Sequence, residues 1–84
     1  MKKITIKYFA SIREAVGQGS EQLASNAASL GALRAELVAR GAAYAEVLGA
    51  GKAVRMALNQ TMSDESAALV DGAEVAFFPP VTGG

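Results

Sequence analysis

The sequence predicts an α+β fold, one amphipathic helix laid across a mixed β-sheet, and three observations predict it. Short segments near the start, in the second half and at the end of the chain alternate apolar and polar residues with period two, the mark of half-buried strands. One stretch between them, Ser29 to Arg40, instead repeats apolar residues at helical spacing. The 84 residues are 51% apolar and 19% charged, enough for a single modest core and too apolar for a disordered chain. A helix that must bury its stripe against one sheet defines an α+β layer arrangement.

The elements follow in order. Lys3 to Tyr8 turns Ile4, Ile6 and Tyr8 one way and Lys3, Thr5 and Lys7 the other, as a strand does. Phe9, Ile12 and Val16 then fall at helical spacing, and Gly17 closes a short helix. Gly19 to Ser25, with Leu23 as its one large apolar residue, is read as a strand because something must separate two helices. In the main helix, Ser29 is the N-cap and Leu30, Leu33, Leu37 and Val38 form the apolar stripe. Glu36 and Arg40 form an i, i+4 pair, and Gly41 takes the left-handed C-cap. Ala42 to Leu48 adds a short helical turn ended by Gly49 and Gly51. Ala53 to Leu58 alternates again, with Val54, Met56 and Leu58 on one face; Asn59-Gln60 turns the chain into a short return strand at Thr61-Met62. Asp64 to Ala68 is a loop, Asp71-Gly72 a tight turn, and Glu74 to Phe78 the last strand, Val75 and Phe77 facing opposite to Ala76 and Phe78. The order is β-α-β-α-β-β-β, with the first two strands an antiparallel pair at the sheet's centre or beside it.

Composition narrows the function. Eight basic and eight acidic residues cancel, which leaves no electrostatic case for nucleic acid or an anionic membrane. The chain has no cysteine and no histidine. That excludes disulfides, thiolate nucleophiles and thiolate metal sites, and removes the commonest general base and metal ligand. An enzyme with a complete active site of its own is not expected, and no metal site is expected. Lys7, Arg13 and Glu14 interrupt any signal-peptide core and no run is long enough to span a membrane, so a cytoplasmic protein is expected.

The end of the chain carries the chemistry. It reads Phe77-Phe78-Pro79-Pro80-Val81-Thr82-Gly83-Gly84. Two terminal glycines arise by chance in about one chain in 200. Without side chains they thread a narrow channel, and their one functional group is the α-carboxylate. The stiff Pro79-Pro80 holds this tip away from the folded body, so residues 1–78 are read as the domain and residues 79–84 as a flexible tail.

With Tyr8-Phe9-Ala10-Ser11-Ile12-Arg13-Glu14, Leu58-Asn59-Gln60-Thr61 and the last fourteen residues from Asp71, the chain resembles the small subunit of molybdopterin synthase, a family of sulfur carriers with a ubiquitin-like β-grasp fold. The resemblance is most specific in the tail; Gln18 to Lys52 matches only in pattern. It implies a β-grasp domain with one long amphipathic helix and short extra helices. It also implies a carrier cycle. An E1-like enzyme adenylates the Gly84 carboxylate with ATP, and a sulfur donor protein converts the adenylate to a thiocarboxylate. The tail then enters the large synthase subunit and gives its sulfur to cyclic pyranopterin monophosphate, in a heterotetramer with two carriers at the ends of a dimer of large subunits. No cofactor is held permanently.

Gly84 is thus the reacting residue, with Pro79, Pro80, Val81, Thr82 and Gly83 as the segment that the partner encloses. Phe78, on the face opposite the core residue Phe77, is a candidate partner contact. Phe9 and Met62 belong either to the core or to that contact. Arg13 and Glu14 are read as a solvated helix face. Two other functions stay in view: a carrier of the same fold for another sulfur pathway, thiazole synthesis or tRNA thiolation, and a ubiquitin-like protein modifier. The Phe-Phe-Pro-Pro-Val-Thr segment favours the first reading, because thiazole carriers lack the diproline.

Overall fold

The structure is a computed structural model that describes residues 1–49 and 51–80. Along the chain run β1 (Lys2–Tyr8), α1 (Ala10–Val16), β2 (Ser20–Ser25), α2 (Leu30–Val38), α3 (Ala42–Leu48), β3 (Arg55–Leu58), β4 (Thr61–Ser63) and β5 (Glu74–Phe78). The five strands form one sheet in the order β2-β1-β5-β3-β4. β1 runs antiparallel to β2 and parallel to β5, and β5 runs antiparallel to β3. The last strand is therefore the middle one, held on both sides.

Local signals account for most boundaries. Gly17 stops α1 in the left-handed conformation (φ 85°), its N–H reaching the Arg13 carbonyl at 3.0 Å. Ser29 caps α2 by accepting from the Ala32 N–H at 3.2 Å. Asn59 and Gln60 both take positive φ (50° and 69°), the primed two-residue turn whose twist suits a hairpin, and so join β3 to β4. Gly72 (φ 84°) turns the chain into β5. That turn is tied to the start of β1: the Lys3 N–H donates to Asp71 Oδ1 at 2.6 Å, and the Gly72 N–H to the Lys3 carbonyl at 2.9 Å.

One face of the sheet carries the core. Ile4, Ile6, Tyr8, Met56, Val75 and Phe77 meet Ile12, Leu30, Leu33, Leu37 and Leu48, every one of them buried. The expected stripe of α2 is present, with Val38 only partly buried at its edge. Among the described residues, no helix is long and apolar enough to cross a membrane.

Several expectations need correcting. The main helix has nine residues against seven in each of α1 and α3, so there is no single long helix. It ends two residues early, with Ala39 as its C-cap; Gly41 is instead the N-cap of α3, at φ 161° and thus extended. The Glu36–Arg40 pair does not form. Arg40 lies beyond the helix and donates to Glu21 Oε1 at 2.8 Å, while Glu36 accepts from the Ser25 hydroxyl at 2.9 Å. Both side chains found partners on β2, which a reading of helical neighbours cannot see. The first two strands, by contrast, are the expected antiparallel pair beside the sheet's centre, β1 bordering the central β5 and β2 forming the edge.

Candidate functional site

The site is the root of the tail, and its position follows from the register of β5. Phe77 pairs with Tyr8 on one side and Met56 on the other, and Phe78 pairs with Arg55. The inward Phe77 is fully buried and stacks on Tyr8, ring centroids 6.3 Å apart and planes 18° from parallel. Tyr8 is itself fixed. Its hydroxyl donates to Glu21 Oε2 at 2.7 Å, and Glu21 also receives Arg40 and, at 3.0 Å, the Gln18 amide. Burial, then the Glu21 hydrogen bond, pushes the Tyr8 hydroxyl far above the ordinary tyrosine range, so it remains a neutral donor. The Arg40 guanidinium caps this network 5.0 Å from the Tyr44 ring centre. The strand beneath the tail is thus braced from three sides.

The outward face is different. Ala76, Ala57 and Met62 lie in one cross-strand row, with Phe78 and Arg55 in the next. Met62 is 54% exposed and Phe9 46%. The Phe9 and Phe78 rings meet edge to face, 6.2 Å apart at 86°. The open question about Phe9 and Met62 is therefore settled against the core: both lie on the surface. Phe9 leaves the α1 stripe because its backbone continues the strand (φ −126°, ψ 152°), so period two still governs it. The next residue, Ala10, adopts a left-handed φ of 52°, uncommon for a residue with a Cβ, and this sharp turn starts α1 while leaving Phe9 outside. Phe78, Pro79 and Pro80 are partly buried. Val81, Thr82, Gly83 and Gly84 lie outside the described residues. Arg13 and Glu14 are exposed on α1, as a solvated face would be.

Sequence reasoning missed three members of this surface. Ala57 and Ala76 form a low floor between Phe78 and Met62, and Arg55 stands at its rim. The alternation through Arg55–Leu58 places Arg55 and Ala57 opposite Met56, but only the pairing of β3 with β5 puts them beside Phe78. Among the described residues no group of three carboxylate-type, His or Cys side chains could hold a metal ion. What the described residues of this surface offer is apolar contact area.

A mixed sheet whose first and last strands run parallel, with its helices packed on one face, is the ubiquitin-like β-grasp arrangement. Its central strand is β5, from which the chain continues into Pro79-Pro80.

The ThiS family profile matches residues 6–84. The molybdopterin synthase sulfur carrier subunit of Escherichia coli (strain K12) is 42% identical over 81 residues, 96% of this chain and 99% of that one. Among solved structures, the Haloferax volcanii HVO 2177 protein superposes with a TM-score of 0.80 at 32% identity, covering 99% of this chain and 87% of that chain. Subunit 1 or 2 in the complex of the two subunits of molybdopterin-converting factor from Helicobacter pylori 26695 superposes at 0.70 with 28% identity, covering 98% and 99%. The chain belongs to the ThiS family, among the molybdopterin synthase sulfur carrier subunits.

Proposed function

We propose that the chain is the sulfur carrier of a molybdopterin synthase, working in the cytoplasm, with Gly84 as the residue that carries sulfur. The observation that carries this reading is the tail root. β5 is paired on both sides through Phe77, and by β3 alone at Phe78, and hands the chain to Pro79-Pro80 amid an exposed apolar surface. A braced strand of this kind can deliver a tail in a fixed direction while the surface around it docks the receiving protein. The similarity to a named sulfur carrier subunit along 99% of that protein supports the same reading.

The chemistry follows from what a carboxylate lacks. Its oxygen is a poor leaving group, so an E1-like enzyme joins the Gly84 carboxylate to the α-phosphate of ATP and releases pyrophosphate. Hydrosulfide supplied by a sulfur donor protein then attacks the acyl carbon and expels AMP, leaving a thiocarboxylate, a far better nucleophile than the carboxylate. Enclosed by the large subunit, it escapes hydrolysis and transfers sulfur to cyclic pyranopterin monophosphate. The acid–base groups belong to that subunit, which accounts for a carrier without histidine or cysteine.

Mass spectrometry after incubation with activating enzyme, ATP and sulfur donor tests this directly. A gain of about 16 Da at Gly84, oxygen replaced by sulfur, is the expected covalent signature. An unchanged C-terminus beside a control carrier that does become charged would overturn the proposal.

Docking is tested separately. Phe78→Ala removes the ring that Phe9 packs against and is expected to weaken the complex with the large subunit by about tenfold or more, as central aromatic contacts do. The melting temperature should stay nearly unchanged, since Phe78 lies on the face away from the core. Titration calorimetry reads the first effect and thermal unfolding the second.

A further inference from the structure

A groove of about 450 Å³ opens beside the tail root, between β3, β4 and the loop that follows β4. Val54, Met56, Met62 and Pro80 supply its apolar lining, and four charged residues stand around it: Arg34, Arg55, Asp64 and Glu65. Through Met62 and Pro80 it is continuous with the apolar surface around Phe78.

Three of those four charges are already committed. Arg34 donates to the carbonyls of Leu48 at 2.6 Å, Gly49 at 3.0 Å and Lys52 at 2.8 Å, which pins the chain between α3 and β3. Glu65 stands 3.6 Å from the same guanidinium. Asp64 accepts both the N–H and the hydroxyl of Ser66, and those bonds hold its carboxyl below the usual carboxylate range. The Arg55 side chain is exposed and makes no hydrogen bond or ion pair with any described residue. Its place is nonetheless fixed, because the register sets it directly across from Phe78.

The geometry points to Arg55 as a specificity-determining residue for docking, one that pairs with a carboxylate on the protein that receives the tail. The large subunit would present an acidic side chain flanked by apolar ones: the acid to Arg55, the apolar neighbours to Val54, Met62 and Pro80 in the groove. A planar guanidinium suits bidentate capture of a carboxylate. A cation at the rim of an apolar patch governs encounter rate and orientation more than it adds affinity. This inference rests on the proposed function, because it assigns Arg55 to that partner.

Association kinetics between the full chain and the large subunit test it, with Arg55→Glu and Arg55→Gln compared at low and high salt. Arg55→Glu is expected to slow association by about tenfold near 0.01 M salt, with most of the difference gone near 1 M salt, where screening acts within about 3 Å. Arg55→Gln should fall between, and dissociation should change less than association. Lys3→Glu makes the same change in net charge at the far end of β1 and should associate like the parent chain. Equal association of Arg55→Glu and parent at low salt overturns the inference alone, and so does an equal loss in Lys3→Glu. Failure of the parent chain to bind the large subunit at all overturns the functional reading and this inference together.

Discussion

Removal of Gly84 is expected to abolish sulfur transfer while leaving thermal unfolding unchanged. The shortened chain still ends in a carboxylate, on Gly83, but that group falls short of the acceptor by about 3.5 Å, the length of one extended residue. Misplacement of a reacting atom by even 1 Å can cost roughly a hundredfold, so no turnover should remain detectable. Among the described residues the last member of the core is Phe77, which leaves the core indifferent to the change. Extension past Gly84 should be equally severe, since it removes the free carboxylate at that position. Gly83→Val adds a β-branched side chain where a channel that fits glycine leaves no room. Product formation with the large subunit, measured beside a melting curve, checks all three. Wild-type turnover by the shortened chain would show that Gly84 is not the carrier residue.

The second large effect is on stability. Leu33 sits mid-way along the α2 stripe with no exposed surface. Leu33→Ala should cost about 2–5 kcal/mol, the loss for a buried leucine whose cavity cannot collapse. Against a total stability of about 5–15 kcal/mol, that brings the variant close to unfolding at ordinary temperature. Urea titration reads the cost as a lowered midpoint. A loss under about 1 kcal/mol would mean that α2 does not close the core.

Strands with strict alternation were the most legible parts of this chain. β1 and β5 each put three or two large residues on one side, and tertiary packing only confirmed which side faces the helices. Caps that act within one turn, Gly17 and Ser29, were equally readable. What escaped was non-local. Arg40 looked like a helical partner of Glu36 because spacing favoured it, yet it donates to the half-buried Glu21 carboxylate on β2, which also accepts from the Tyr8 and Tyr44 hydroxyls and the Gln18 amide. Gly41 looked like a stop and proved to be a start, since a second helix follows almost at once. Phe9 could be counted on a helix or on a strand, and the backbone of Ala10 decides between them. At the site, Phe78 and the diproline were visible in the sequence. Arg55 and the alanine floor were not, because they join Phe78 only through the pairing of two strands nearly twenty residues apart.

The parallel pairing of β1 with β5 also constrains how the molecule is born. Tyr8 must meet Phe77, yet at a synthesis rate of about 5–20 residues per second the ribosome makes the one roughly 3–14 s before the other. Through that interval Ile4, Ile6 and Tyr8 have β2 beside them and nothing on their other flank. The nascent chain can form two separate hairpin-like ribbons, but it cannot join them, since the strand that stands between them is the last to be translated. Chains cut short before β5 therefore lack the seam of the sheet and are left with the open strand edges that expose a chain to association and proteolysis. Folding thus reports on translation: a molecule that has closed its sheet has, by that fact, been read through β5.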